Sequence, residues 1–153
     1  MNIEDQLAVL EGLAKNEEAV ALLYETYSRQ FQNTKEFWEQ LALEEIAHAA
    51  AIRSLHPLIK SGAIGFDQDR FNMQAIGFFH NYVGELINKA QGKDLVWALS
   101  VAMDLEESLI ERKFFTVFKT DSQQLKYILN KLAEDTQRHF NNIREAWERY
   151  RSI

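Results

Sequence analysis

The chain has no cysteine, one proline and six glycines among its 153 residues. The absence of cysteine excludes both a disulfide framework and a thiolate metal site. Because proline and glycine interrupt helices, their scarcity favours long continuous helices. Lys and Arg number 17 against 23 Asp and Glu, which gives a net charge of −6. This balance argues against a nucleic-acid partner, since binding a phosphate backbone requires a basic patch.

Long hydrophobic runs are also absent. The longest, Leu95 to Met103, contains Ser100 and falls far short of the roughly 20 residues of a transmembrane helix. The first five residues, Met-Asn-Ile-Glu-Asp, contain neither a basic region nor a cleavage signal. We therefore expect a cytoplasmic protein that does not bind a membrane, folded as one domain over residues 1–153.

Apolar residues recur at helical spacing in four long segments and one shorter one. The long helices are predicted from about Ile3 to Phe31, from Lys35 to Ile59, from Asp94 to Lys119, and through Leu125 to Trp147. Thr34 and Asp94 are predicted as N-caps, and Thr120 to Gln123 fits a capping box. The shorter helix is predicted to start at Asp67 or Asp69 and to end before Gly92, with His80 on its solvated side. Its apolar stripe comprises Phe71, Ala75, Phe78, Tyr82, Leu86 and Ala90.

Four long helices predict an all-α bundle. A tight turn makes the first and second helices antiparallel, and the third and fourth are expected to be antiparallel as well. The connection between the second and third helices spans about 30 residues, and its own helix covers about 30 Å, enough to return along the bundle. We therefore predict a four-helix bundle with a long helical crossover, in which the second and third helices are parallel.

Two related segments indicate where the chemistry lies. Glu45 and His48 are three residues apart on an otherwise apolar helix face, so their side chains are neighbours. The pattern returns 91 residues later with His139, but the counterpart of Glu45 is Thr136. An ionised carboxylate on an apolar face is costly unless it is paired or bound to a metal. The repeat therefore predicts a metal site.

Two more glutamates are predicted to face inward. Glu17 shares its helix face with Leu10, Leu13, Val20 and Ala21, whereas Glu18 lies on the side of Glu11. On the third helix Glu106 and Glu107 compete for the inward position. We choose Glu106, because its face neighbours Leu99, Ala102, Leu109 and Ile110 are all apolar. Glu134 and Asp135, next to Thr136, are expected to face solvent.

Four features of the sequence belong together: Glu17 with Tyr24, the run Phe37-Trp38-Glu39-Gln40-Leu41-Ala42 leading to Glu45 and His48, Leu105-Glu106, and His139. Together they resemble the rubrerythrin-type branch of the ferritin-like family. The resemblance implies a usually dimeric four-helix bundle whose di-iron site reacts with peroxide or O₂. It implies Glu17, Glu45, His48, Glu106 and His139 as ligands, with Tyr24 donating a hydrogen bond near them. Manganese is the alternative metal. Rubrerythrins also carry a cysteine-ligated iron that supplies electrons, so this chain would need a separate electron donor.

Thr136 departs from the family pattern. A hydroxyl in place of a carboxylate removes one negative charge and one or two oxygen ligands, which favours a weakened di-metal site or a single metal held by Glu17, Glu45 and His48. Two hypotheses follow. The first is a metal-dependent oxidoreductase or iron-handling protein, acting as a peroxidase or ferroxidase. The alternative is a non-enzymatic helical bundle that acts through partners and keeps a vestigial or mononuclear metal site.

Overall fold

The computed structural model describes residues 2–66, 73–111, 118–119 and 122–153, and these are almost entirely helical. The chain divides into two compact units. The first comprises Met1–Ala90 with Val117–Thr120, and the second comprises Gln91–Thr116 with Asp121–Ile153. None of the helices among the described residues combines the length and hydrophobicity that crossing a membrane requires.

The first unit is built on two long helices. Helix α1 spans Ile3–Gln30, a single 3₁₀ turn spans Gln32–Thr34, and α2 spans Lys35–Arg53. Asn2 begins α1 by accepting a hydrogen bond from the Asp5 N–H at 2.7 Å, as an N-cap does. Contacts between the two helices pair early residues of one with late residues of the other, so α1 and α2 are antiparallel, as predicted.

Thr34 occupies the predicted N-cap position of α2 but does not cap it. Its hydroxyl donates to the Phe31 carbonyl at 3.3 Å, and no side-chain hydrogen bond reaches the first turn of α2. The 3₁₀ turn explains this difference, because the Thr34 side chain is already used to close that tighter turn.

The second predicted helix is two helices. Helix α2 ends at Arg53, and a separate short helix, α3, spans His56–Lys60. Pro57 has no N–H to donate, and its ring clashes with the carbonyl of residue 53. It therefore interrupts the helical hydrogen bonds that the sequence pattern predicts up to Ile59. His56 is exposed, as expected.

After α3 the chain enters strand β1, Gly65–Phe66, which pairs antiparallel with β2, Phe118–Lys119. The third long helix therefore does not continue to Lys119 as predicted, because residues 118 and 119 are extended and hydrogen-bond to β1. Phe118 is aromatic, a residue type that favours strands. The predicted caps Asp67 and Asp69 lie outside the described residues.

Helix α4, Met73–Asn88, packs on α1 with a different face from the predicted one. Ile76, Val83 and Leu86 are buried, whereas Phe78 and Tyr82 are 63% and 49% exposed. The inward face is thus turned by one residue, about 100° around the helix. Gly12 of α1 lies against this face: a Cβ there would lie 3.0 Å from Ile76 Cγ2, so the glycine leaves room for that side chain.

Of the other residues in the predicted apolar stripe of α4, some are buried and one is exposed. Leu86 and Ala90 are buried as expected, Ala75 is exposed, and Phe71 lies outside the described residues. His80 is exposed, which confirms the prediction that it faces solvent. Leu86 fits both faces because it lies near the boundary between them, and Ala90 lies beyond the last residue of α4, Asn88.

The second unit contains α5, Leu95–Glu111, and α6, Gln123–Arg151, which pack against each other. Asp94 caps α5 as predicted, accepting from the Trp97 N–H at 2.8 Å. The cap of α6 is Ser122, which accepts from the Leu125 N–H, and Thr120 of the predicted capping box lies outside the described residues. The helix begins two residues later than that box requires. The core residues of the unit include Ala98, Leu99, Ala102, Leu105, Leu125, Leu129, Leu132 and Ile143.

Candidate metal centre

Glu17, Glu45 and His48 meet inside the first unit. Each offers one ligand atom, and the three atoms lie within 4.8 Å of one another. His48 Nδ1 is 3.5 Å from Glu45 Oε2 and 4.0 Å from Glu17 Oε2. The residues are 6%, 1% and 4% exposed, respectively. The predicted grouping of these three side chains is therefore present in the structure.

The helix pair creates this geometry. Glu45 and His48 project from one face of α2 because they are three residues apart, and antiparallel packing brings Glu17 of α1 opposite them. The neighbouring residues on the two faces are apolar and buried. They are Leu13, Val20, Ala21, Leu41, Ala49 and Ile52.

Such a cluster could hold a cation. Two carboxylates held this close in an apolar surrounding cannot both stay ionised unless positive charge compensates them. A divalent metal supplies that charge, and the donor set of one imidazole nitrogen and two carboxylate oxygens suits iron or manganese. Protons are the other source: a protonated His48 between the two glutamates would form a buried ion pair.

Glu18, next to Glu17, faces outward as predicted and joins a surface cluster that the sequence analysis missed. Arg53 of α2 donates to Glu11 at 2.8 and 3.1 Å and to Glu18 at 2.8 Å, both on α1. Hydrogen bonds from Arg53 hold the pKa of both carboxyl groups below the ordinary value, and the two carboxylates raise the pKa of Arg53. The available signal was that Glu11 and Glu18 are seven residues apart, two turns on one helix face.

In the second unit Glu106 and His139 form a pair. Both are 0% exposed, and His139 Nδ1 lies 3.5 Å from Glu106 Oε1. Glu107 is exposed, so the choice of Glu106 as the inward glutamate is confirmed. The imidazole and carboxylate are again a donor combination that suits a transition metal.

Thr136 lies three residues before His139 and is 3% exposed, so it does occupy the buried face where α2 carries Glu45. Its hydroxyl donates to the Leu132 carbonyl, one turn back, at 2.9 Å. Threonine in a helix commonly satisfies its hydroxyl in this way. Glu134 is exposed as expected, whereas Asp135 is half-buried and accepts a hydrogen bond from Arg138 at 3.0 Å. Among the described residues, neither belongs to a group of possible metal ligands.

Aromatic side chains pack together beyond the three ligands of the first unit. Tyr24 and Trp38 each lie seven residues from a ligand, Glu17 and Glu45 respectively, about 10.5 Å along the helix. Their ring centroids are 5.6 Å apart, and Tyr27 meets Trp38 edge-on at 4.9 Å. All three residues are fully buried.

No model of a known protein family, no curated protein and no solved structure matches this chain.

Proposed function

We propose that this chain is a metal-binding protein in which Glu17, Glu45 and His48 hold a divalent transition metal, iron in preference to manganese. The observation that carries the proposal is the convergence of three buried ligand atoms, from two helices, within 4.8 Å. Because each helix is fixed by its own packing, the ligands are held in place before any metal binds.

The donor set supports a reactive centre rather than a closed structural one. Three protein ligands fill only part of the coordination sphere of iron, and open positions admit a small oxidant. When bound, iron would supply one-electron chemistry toward peroxide or O₂, or would itself be the ferrous substrate of a ferroxidase. The two glutamates would balance the metal charge, and the apolar residues around them would keep bulk water away.

Glu106 and His139 support the proposal of a second metal. The pair offers two ligand types that iron accepts, but Thr136 contributes no carboxylate, so we expect weaker binding than at the first unit. The ferritin-like four-helix bundle with its helical crossover, the rubrerythrin resemblance, the homodimer and the separate electron donor remain predictions from the sequence. Light scattering of the purified chain tests the dimer.

Metal analysis tests the central proposal. Protein purified without chelators should contain iron or manganese, and metal-stripped protein should bind Fe(II) in an anaerobic titration. Glu45→Gln should abolish the tighter binding, whereas Glu39→Gln, an exposed glutamate on the same helix, should leave it unchanged. Anomalous diffraction at the iron and manganese edges would identify the metal. Equal loss in both variants, or no binding by the unmodified chain, would refute the proposal.

The alternative is a non-enzymatic helical protein with a mononuclear or vestigial site. It is favoured by Thr136, whose hydroxyl is satisfied by its own helix at the position where a second metal needs a carboxylate. Peroxide consumption with a chemical reductant separates the two candidates. Turnover that disappears in Glu45→Gln supports the oxidoreductase, and bound metal without turnover supports the alternative.

A further inference from the structure

We propose that Arg53, through its contacts with Glu11 and Glu18, is a positioning residue that holds Glu17 at the metal centre. Arg53, Glu11 and Glu18 are hereafter the outer clamp. The inference rests on the proposed function, since it concerns metal binding by the three-residue cluster of the first unit. It gives these surface ion pairs a role in metal affinity, beyond their contribution to folding.

Arg53 uses both edges of its guanidinium group. Its Nε and Nη2 atoms donate to the two carboxylate oxygens of Glu11, at 3.1 and 2.8 Å. Its Nη1 and Nη2 atoms donate to the two oxygens of Glu18, both at 2.8 Å. A planar guanidinium bound in this two-pronged way has a fixed orientation, which a single ammonium contact does not give. One side chain of α2 is therefore joined to two points on α1 that are seven residues apart.

The two anchors on α1 lie on either side of Glu17 along the chain. Glu11 is six residues before it, about 9 Å along the helix axis, and Glu18 is the next residue. A slide of α1 along α2 would therefore stretch the bonds to both anchors. Glu18 also lies about 100° around the helix from Glu17, so a rotation of α1 that withdraws Glu17 moves Glu18 as well. The outer clamp thus restrains both movements of this ligand.

On the other side of the helix pair, Arg53 is close to the ligands of α2. It follows His48 by five residues, about 7.5 Å along the axis of the same continuous helix. Because an α-helix is stiff over this length, the position of Arg53 follows that of His48. The outer clamp therefore links the ligands of α2 to the ligand of α1.

The outer clamp opposes a repulsion inside the unit. His48 Nδ1 lies 3.5 Å from a carboxylate oxygen of Glu45 and 4.0 Å from one of Glu17, so the two carboxylates face each other across the helix pair. Ionised carboxylates at such separations repel one another, which acts to separate α1 from α2. Metal–ligand distances tolerate only about 0.2 Å of error, so a small displacement of Glu17 weakens binding.

Charge and position predict opposite results for Arg53→Met. Removing a cation near the site would by itself raise the affinity for Fe(II), because Glu11 and Glu18 would lose their counter-charge. Loss of the outer clamp lowers the affinity, because Glu17 is no longer held. We expect anaerobic Fe(II) titration to show a loss of about three- to tenfold, below the range for groups that bond to a ligand directly. Unchanged or raised affinity would overturn the proposal.

Two control variants accompany this titration. Arg144, at the equivalent position of the repeat, contacts Glu148 of its own helix at 3.9 Å, so Arg144→Met should leave the tighter Fe(II) binding unchanged. Arg53→Lys keeps the positive charge but loses the two-pronged geometry. Its affinity should lie between those of the wild type and Arg53→Met. Wild-type affinity in Arg53→Lys would assign the effect to charge and overturn the positioning role.

The partners of Arg53 give a second test that leaves the arginine in place. Glu11→Gln removes one anchor and one negative charge. Glu25→Gln removes the same charge from α1, eight residues after Glu17 instead of six before it, without touching the outer clamp. Glu11→Gln should therefore lower Fe(II) affinity more than Glu25→Gln. Equal losses would overturn the proposal, whatever the folding of Arg53→Met.

Cobalt(II) spectroscopy shows whether Glu17 is the ligand affected, since visible absorption depends on the groups that bind the metal. The bands of cobalt-loaded Arg53→Met should shift in the direction seen for Glu17→Gln. Gln30→Ala, which removes a 2.7 Å bond from α1 to the Ala90 carbonyl, is the control for lost stability in the first unit and should leave the bands in place. Wild-type bands in Arg53→Met, or an equal shift in Gln30→Ala, would overturn the positioning role.

Metal binding by the unmodified chain distinguishes failure of this inference from failure of the proposed function. If the unmodified chain binds neither Fe(II) nor Co(II), the metal centre and the positioning role both fall. If Glu45→Gln abolishes binding while Arg53→Met keeps the wild-type affinity and spectrum, the positioning role falls and the metal centre stands.

Discussion

The two units place a histidine at equivalent positions of the internal repeat and surround it differently. In the first, His48 faces two glutamates, Glu45 from its own helix and Glu17 from α1. In the second, His139 faces Glu106 across the helix pair, while Thr136 hydrogen-bonds to its own helix. At the repeat position where the first unit has Glu45, the second unit thus has Thr136, whose hydroxyl hydrogen-bonds within its own helix and is not a carboxylate ligand.

The difference extends to the outer surface. Arg53 joins α2 to α1 through Glu11 and Glu18, whereas its counterpart 91 residues later, Arg144, contacts Glu148 within α6 at 3.9 Å. The first unit therefore fixes its ligand-bearing helices to each other on both the inner and outer faces. At this one position of the repeat, the arginine of the first unit joins two helices and that of the second contacts its own helix.

The largest effect is expected from removing the histidines. His48→Ala takes a ligand from the three-residue cluster and should lower Fe(II) affinity by more than about 100-fold, beyond the range for residues that only contact a ligand. His139→Ala should cost less, because its unit offers fewer ligands. Anaerobic titration with Fe(II) measures both, with His80→Ala as the exposed control on α4. An equal loss of Fe(II) affinity in the two variants, or a larger loss in His139→Ala, would contradict the proposed difference between the units.

Metal should also stabilise the fold. The inward carboxylates repel one another when no cation is bound. A metal held only by the native state adds about 2.7 kcal/mol at one hundred times its dissociation constant, and about 2–4 °C of Tm per kcal/mol is typical at this size. Thermal melts with and without Fe(II) and Mn(II) measure the gain. Glu45→Gln should remove most of it and Glu106→Gln less. Identical midpoints with and without both metals would contradict the proposal.

Thr136→Glu tests whether the two units can be made alike. It adds a buried negative charge, so without metal it should destabilise the protein by about 1–3 kcal/mol. With Fe(II) the sign should reverse, because the new carboxylate can ligate, and the stoichiometry should move toward two metals per chain. Thr136→Gln is the matched control, since it loses the bond to Leu132 without adding charge.

Two measurements on these variants are needed together: thermal melts with and without metal, and the number of metals bound per chain. If Thr136→Glu is destabilised equally with and without metal, residue 136 does not contribute to a metal site, and the second unit differs from the first by more than one residue.

Much of the site was readable from the sequence because helical period determines which residues share a face. The choices of Glu17 over Glu18 and Glu106 over Glu107 needed only the apolar residues one turn away. The ligand roles and the metal itself are not readable in this way, since a buried Glu–His pair also forms an ion pair.

Two of the failures come from contacts between distant residues. The buried face of α4 carries Ile76, which lies close to Gly12, more than 60 residues earlier, where the missing Cβ leaves room for it. Residues 118 and 119 are extended because they pair with β1, a tertiary contact that overrides a helical pattern. The break before Pro57 was available from the sequence, since proline rarely continues a helix, and should have been predicted.

The smallest effect concerns the outer surface of the first unit. Arg53→Met should lower the free energy of unfolding by about 0.2–1 kcal/mol per ion pair, because exposed pairs are screened by water, whereas Arg144→Met should change it less. The Glu11 and Glu18 pKa values are lowered in the folded state, so this stabilisation is present above their ordinary value of 4.5 and is lost as the pH falls through the folded values. Urea unfolding of both variants between pH 7 and about pH 3 measures the difference. It should vanish at the acid end and shrink in about 1 M salt. If Arg53→Met still lowers the free energy of unfolding at low pH, Arg53 stabilises the unit by packing of its alkyl chain and not by its ion pairs. The two units would then differ only at their ligands.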